Sequence, residues 1–142
     1  MAKNKLIIEY DYDFSLYGIV SPAKDYRLAW LINKQLGLHL KKEEDIELSF
    51  LNEKKLVISN YLYATQHAQL RLLKNRSEER PDGKLAFLIP ELRKFDFLVM
   101  KNGAIDDLDD QKWLQQMQKI KEIQYFVPLE IDKLKSRENL IF

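Results

Sequence analysis

Two carboxylates that stand close together, Glu91 and Asp96, are the residues whose types and spacing could do chemistry. Paired carboxylates can act as general acid and general base when burial separates their pKa values. An enzyme using Glu91 and Asp96 is therefore one hypothesis. The alternative is structural: Pro90 and Glu91 make a rigid turn in which Glu91 accepts backbone hydrogen bonds, and Asp96 pairs with a lysine or arginine. We favour the structural interpretation, because no nucleophile or set of metal ligands stands nearby in the sequence.

A second candidate is the basic stretch between positions 71 and 94. A nucleic-acid patch in this stretch would consist of Arg71, Lys74, Arg76, Arg93 and Lys94. Basic residues beside tyrosines can form a platform for RNA or single-stranded nucleic acid. They can equally be charges that protect the edges of strands from aggregation. We favour the second interpretation and expect no nucleic-acid binding.

Several classes of site are excluded by what the chain lacks. It has no cysteine, which excludes thiolate catalysis, thiolate zinc sites and disulfides. His39 and His67 do not have the spacing of a zinc site, and the four glycines form neither a phosphate loop nor a dinucleotide fingerprint. The acidic run at 106–110 is typical of a helix N-terminus. We therefore predict no metal and no cofactor.

The composition is that of one globular domain spanning residues 1–142. Hydrophobic residues make up 46% of the chain and charged residues 32%, and the net charge of +1 creates no global field that would attract nucleic acid or an anionic membrane. The apolar run near the N-terminus is broken by Glu9, so it is too short for a signal peptide, and no stretch is long enough to cross a bilayer. We predict a cytoplasmic protein that does not contact a membrane.

The elements that must position these residues are two helices and a series of strands. Ser21 and Pro22 predict a helix with a serine cap that ends at Gly37, and its apolar stripe is widened by Tyr26 and Trp30. The second helix is predicted over 106–121. Strands are predicted over 5–10, 11–20, 46–50, 56–65, 68–75, 85–89, 95–100 and 123–127, with Pro128 ending the last one. This order predicts an α+β fold in which both helices pack on one face of an antiparallel sheet of about six to eight strands. An elaborated ferredoxin-like βαββαβ core is one topology that fits this order.

Three segments resemble those of the IPExxxVDY family, which consists of small bacterial proteins without an assigned activity. The first segment contains Ile89, Pro90, Glu91, Asp96 and Phe97. The second is KDYRL at 24–28, and the third is the end of the chain, 134–142. Phenylalanine stands where the family name has valine, at position 95, and where it has tyrosine, at position 97. The resemblance implies a bacterial protein and transfers no catalytic residue.

The function predicted from these observations is that of a non-enzymatic protein-interaction module. Its partner is either another protein or a second copy of the same chain, which would give a homodimer. The sequence ends on three apolar residues, Leu140, Ile141 and Phe142, whereas free termini are commonly polar and frayed. We expect these side chains to dock, either in the core of the monomer or on a second subunit. RNA binding through the basic stretch and catalysis by Glu91 and Asp96 are the alternatives.

Overall fold

An antiparallel sheet with two helices is the main feature of the computed structural model, which describes residues 12–49, 55–77, 86–105 and 108–142. The helices are α1 (Asp25–Leu36) and α2 (Asp110–Gln118). The strands are β1 (Ser15–Val20), β2 (Lys41–Lys42), β3 (Ile46–Ser49), β4 (Lys55–Ile58), β5 (Asn60–Ala64), β6 (Gln69–Lys74), β7 (Phe97–Asn102) and β8 (Tyr125–Leu129). The predicted strand at 5–10 lies outside the described residues.

Six strands form the main sheet within these ranges, in the order β2-β5-β6-β7-β1-β8, and every neighbouring pair is antiparallel. The strands β3 and β4 pair separately as a second, two-stranded sheet. The elements β1, α1, β6, β7, α2 and β8 follow the βαββαβ order, and their strands lie side by side as β8-β1-β7-β6, which is the arrangement of a ferredoxin-like core. The predicted α+β class is confirmed, and β5 and β2 extend the sheet beyond β6.

Both helices contribute to the core on one face of the main sheet. Leu28 of α1 and Trp113 of α2 are fully buried against residues of the central strands. The rings of Tyr17 and Phe126 stack with centroids 5.1 Å apart, and Trp113 meets each of them edge-on at 5.7 Å. This aromatic cluster joins α2 to β1 and β8, because ring pairs in these geometries are attractive beyond the area that they bury.

The opposite face of the sheet is covered by β4, by the short 3₁₀ helix Pro90–Leu92 and by the last residues of the sequence. Leu140 is buried here, with 2% of its surface exposed. The docking prediction is therefore confirmed for Leu140, which packs within its own chain. Ile141 and Phe142 do not dock in the monomer core but remain exposed, and the Arg71 guanidinium lies 5.3 Å from the centroid of the Phe142 ring. Docking of these two side chains on a second subunit stays a prediction.

The first helix begins later than predicted, and its buried face, formed by Leu28, Ala29 and Ile32, is narrower than expected. It begins at Asp25, because Ser21 is engaged elsewhere: its hydroxyl donates to the Glu122 carbonyl at 2.7 Å. Gly37 ends the helix as predicted, with a φ of 68° that favours glycine. Tyr26 and Trp30 were expected to widen the buried stripe, but they are 62% and 50% exposed.

Three predicted strands differ from the structure. The stretch 56–65 is not one strand: it divides at Ser59 into β4 and β5, which belong to different sheets. In the described part of 85–89, the chain forms only a bridge between Phe87 and Arg76. Pro128 lies inside β8 and does not end it, because β8 is the last strand of the sheet among the described residues, and at the outer side of such a strand a missing N–H breaks no ladder.

A fully buried asparagine holds the segment between β6 and β7 in place. Asn75 Nδ2 donates to the carbonyls of Leu92 at 2.9 Å and Phe95 at 3.2 Å, and Oδ1 accepts the Ile89 N–H at 2.9 Å. Its backbone binds the same segment, since its N–H donates to the Asp96 carbonyl and its carbonyl accepts from the Leu88 N–H. The side chain and the backbone of this one residue together bind five residues of the segment 88–96.

We expect Asn75→Ala to lower the free energy of unfolding by about 2–4 kcal/mol, because it leaves one N–H and two carbonyls without their buried partner. Urea denaturation followed by circular dichroism measures the change. Asn102→Ala is the matched control, since its amide makes no hydrogen bond within the described ranges, and it should stay within about 0.5 kcal/mol of the parent. Equal effects of the two substitutions would contradict the role assigned to Asn75.

We expect Leu140→Ala to cost about 2–5 kcal/mol, because it leaves a cavity in the core beneath the sheet. Phe142→Ala should cost less than about 1 kcal/mol, since half of that side chain is already in solvent. Melting curves of both variants at equal concentration test the difference. A Phe142 variant that is as unstable as the Leu140 variant would contradict the expected difference between the two residues.

Candidate functional site

A cleft of about 800 Å³ opens at the start of α1. It is lined by residues 21–26, by Lys74 and Arg76 at the end of β6, and by Phe87 with residues 93 and 95–97. Asn75 sets this geometry, because it fixes the segment 88–96 against the end of β6. Two of the segments that resemble the IPExxxVDY family, 24–28 and 89–97, therefore meet at one cleft.

The cleft contains four basic residues: Lys24, Lys74, Arg76 and Arg93. No ion pair joins any of them to another residue in the described part of the chain. Among the described residues, only two acidic ones, Asp25 and Asp96, line the same space, so positive charge is in excess within that part of the chain. An anionic group is the ligand that such a surface attracts.

The two carboxylates in the cleft are bound by local hydrogen-bond donors. Asp96 Oδ2 accepts the N–H of Ser21 at 2.9 Å, and Asp25 accepts the Tyr26 N–H at 2.8 Å and the hydroxyl of Ser59. The predicted pairing of Asp96 with a lysine or arginine is therefore wrong. Asp96 instead joins the turn before α1 to the segment before β7, which leaves the basic side chains available.

The basic stretch predicted from the sequence is divided between two faces of the sheet. Lys74, Arg76 and Arg93 line the cleft, whereas Arg71 stands three positions before Lys74 and therefore faces the other side of β6. There Arg71 donates to Asn60 Oδ1 at 2.8 Å, and burial lowers its pKa. Lys94 lies 5.4 Å from the Phe95 ring centroid and is not among the residues that line the cleft.

Glu91 lies outside the cleft and is bound to the end of the sequence. Its two oxygens accept the N–H of Ser136 at 2.8 Å and the Ser136 hydroxyl at 2.7 Å. Burial alone would raise the pKa of Glu91, but the hydrogen bonds from Ser136 outweigh it and lower the pKa. Glu91 therefore accepts a backbone N–H, as the structural interpretation predicted, but the donor is Ser136, 45 positions along the chain, and not a group of the turn itself. The two carboxylates of the proposed acid–base pair thus bind different segments.

Two residues of the cleft were not recognised in the sequence as parts of a site. Lys24 belongs to the KDYRL segment, but nothing in the local pattern of that segment marks it as part of a site. Phe87 was placed in a strand, although it makes only a bridge to Arg76 and lines the cleft as a partly buried side chain. Neither could be found from local periodicity, because the cleft is assembled from segments far apart in the chain.

The acidic run before α2 behaves as a helix start where it is described. Asp109 Oδ1 accepts the N–H of Lys112 at 2.8 Å, which is the contact of an N-cap. Among residues 12–49, 55–77, 86–105 and 108–142, no group of three acidic or histidine side chains is arranged to hold a metal ion. Neither helix in those ranges is long and apolar enough to cross a membrane.

Comparison with known proteins adds no relative. A scan against models of protein families finds no match, and a search of curated proteins finds none either. The resemblance to the IPExxxVDY family therefore stays a prediction. Its three segments are in contact at the cleft and at the hydrogen bonds between Glu91 and Ser136.

We expect Glu91→Gln to lower stability by about 0.5–1 kcal/mol at pH 7, because one partner of two hydrogen bonds loses its charge at an exposed site. The folded-state pKa of Glu91 is lowered, so its contribution is present above the unfolded value of about 4.3 and is lost as the pH falls through the folded value. The difference between parent and variant should therefore shrink below about pH 4.

Urea denaturation at several pH values measures this difference. Glu138→Gln is the matched control, since the Glu138 side chain is exposed and makes no hydrogen bond within the described chain. A gap between parent and Glu91→Gln that stays constant down to acid pH would show that the ionised carboxylate is not what binds Ser136.

Proposed function

We propose that this protein is a cytoplasmic interaction module that binds an acidic segment of a partner protein in the cleft. The observation that carries the proposal is the convergence of Lys74 and Arg76 from the end of β6 and of Arg93 from the segment before β7 on one concave surface. These cations have no ion-pair partner within the described residues, so a ligand can supply the negative charge.

The size and chemistry of the cleft support a short peptide segment as the ligand. A volume of about 800 Å³ is within the usual range for ligand sites, and it accommodates a few residues. Phe87 and Tyr26 add apolar surface beside the basic groups. Arginine and lysine next to accessible aromatic rings are typical of protein interfaces that recognise acidic motifs.

A binding role is favoured over catalysis by the positions of the two motif carboxylates. Glu91 binds Ser136 and does not line the cleft, whereas Asp96 lines it and binds Ser21. An acid–base pair would need both groups within reach of one substrate. If the chain belongs to the IPExxxVDY family, these positions assign a structural role to the family's motif. Its Asp96 helps to form the cleft, and its Glu91 binds the segment that ends the sequence.

A protein ligand is favoured over nucleic acid by the distribution of charge. Arg71 lies on the other face of the sheet and Lys94 lies outside the cleft, so the basic residues of the stretch 71–94 do not form one continuous groove. Nucleic-acid platforms track a backbone with a continuous positive groove. RNA binding is therefore an outcome that the experiment must be able to detect, and we do not expect it.

We expect an N-acetylated, fluorescein-labelled hexaglutamate peptide to bind the full chain, and the binding to weaken between about 50 and 300 mM NaCl as charges are screened. Replacing both Arg76 and Arg93 with Ala should weaken binding at least about fivefold, whereas replacing Lys55 and Lys133, which removes equal charge elsewhere, should have little effect. Fluorescence anisotropy measures all three proteins.

Two results would contradict the proposed function. The first is hexaglutamate binding that falls equally in both double variants, since that would reflect net charge and not the cleft. The second is tighter binding of a labelled oligouridylate than of hexaglutamate, with the oligouridylate binding lost in the Arg76 and Arg93 double variant. That second result would assign the cleft to RNA.

A further inference from the structure

The outer face of α1 carries two large aromatic side chains that are at least half exposed to solvent. Tyr26 is 62% exposed and Trp30 is 50% exposed. They stand four residues apart on one helix and therefore lie next to each other along it. Isolated exposed apolar residues need no explanation, but two neighbouring aromatics at the rim of a cleft form a surface that a partner can use.

This aromatic pair is continuous with the cleft. Tyr26 lines the cleft itself, and Trp30 lies one helical turn further along α1. The pair is the only part of α1 where side chains this large and apolar are exposed in the described chain. A ligand that leaves the cleft along α1 therefore meets Tyr26 first and Trp30 next.

The surroundings of Trp30 are basic. The Arg27 guanidinium lies 4.9 Å and the Lys34 ammonium 5.0 Å from its ring centroid, which are cation–π distances. Arg27 is also joined to Glu122 at 3.5 Å, so its position is held from a second side. These contacts restrict the indole before any partner arrives, and pre-ordering of an anchor residue reduces the entropy lost on binding.

We infer that the partner segment bound in the cleft continues along α1 and packs an apolar side chain against Tyr26 and Trp30. The recognised chemistry is a polypeptide in which acidic residues are followed, after a short spacer, by a large aliphatic or aromatic residue. This inference rests on the proposed function, because the acidic part of the same ligand must occupy the cleft. The positive charge around both surfaces selects the acidic partner, and the aromatic pair selects the apolar anchor.

The experiment compares hexaglutamate with a set of labelled peptides in which three glutamates precede a leucine or phenylalanine, separated by zero to four glycines. At least one spacer should give binding about tenfold tighter than hexaglutamate, since a buried large apolar side chain contributes an effect of this order. Trp30→Ala should abolish the gain and leave hexaglutamate binding unchanged. Tyr125→Ala is the matched control, because Tyr125 is an aromatic residue on β8 that is at least as exposed as Trp30.

The possible results separate this inference from the proposed function. Hexaglutamate binding without a gain for any spacer, or a gain that survives Trp30→Ala, overturns the inference and leaves the proposed function standing. Failure of every acidic peptide to bind overturns both. A second copy of the chain is the other molecule that could cover the aromatic pair, and light scattering on the parent and on Trp30→Ala tests for it. A dimer that the substitution converts to monomer would overturn the inference.

Discussion

The buried side chain of Asn75 is the interaction on which the rest of this structure depends. It satisfies one N–H and two carbonyls of a segment that has no sheet or helix ladder of its own over most of its length. Buried backbone groups must find partners, and in this segment one amide side chain supplies three of them. The segment can therefore lie beneath the sheet as irregular chain and still be fixed.

The two carboxylates of the motif connect the segment fixed by Asn75 to two other parts of the chain. Asp96 binds the backbone of Ser21, and so positions the turn that leads into α1. Glu91 binds Ser136, and so attaches the stretch that carries the buried Leu140. Each contact joins residues that are far apart in the chain. The motif is thus a junction between three segments, and the cleft is the space that this junction leaves open beside α1.

The charges of the cleft follow from how its carboxylates are used. Asp25 and Asp96 are held by hydroxyl and backbone donors, which are neutral, and the neighbouring lysines and arginines keep their charge unpaired within the described chain. The surface of the cleft is therefore basic, because its two carboxylates bind neutral donors and do not pair with its lysines and arginines. Because that surface adjoins the exposed Tyr26 and Trp30, charge and apolar area occur together, as they do in interfaces that recognise acidic motifs.

Local patterns in the sequence determined the elements and the fold class. Gly37 ended the first helix as predicted because only glycine takes a positive φ without strain, and the alternation of apolar residues located most strands. Tertiary structure decided which faces those elements present. Ser59 divides one apolar run between two sheets, and Asp96 binds a backbone N–H 75 residues away in place of a nearby cation. Local periodicity cannot predict such contacts, because they depend on which segments the sheet order brings together. The cleft is lined by segments that only these contacts place side by side.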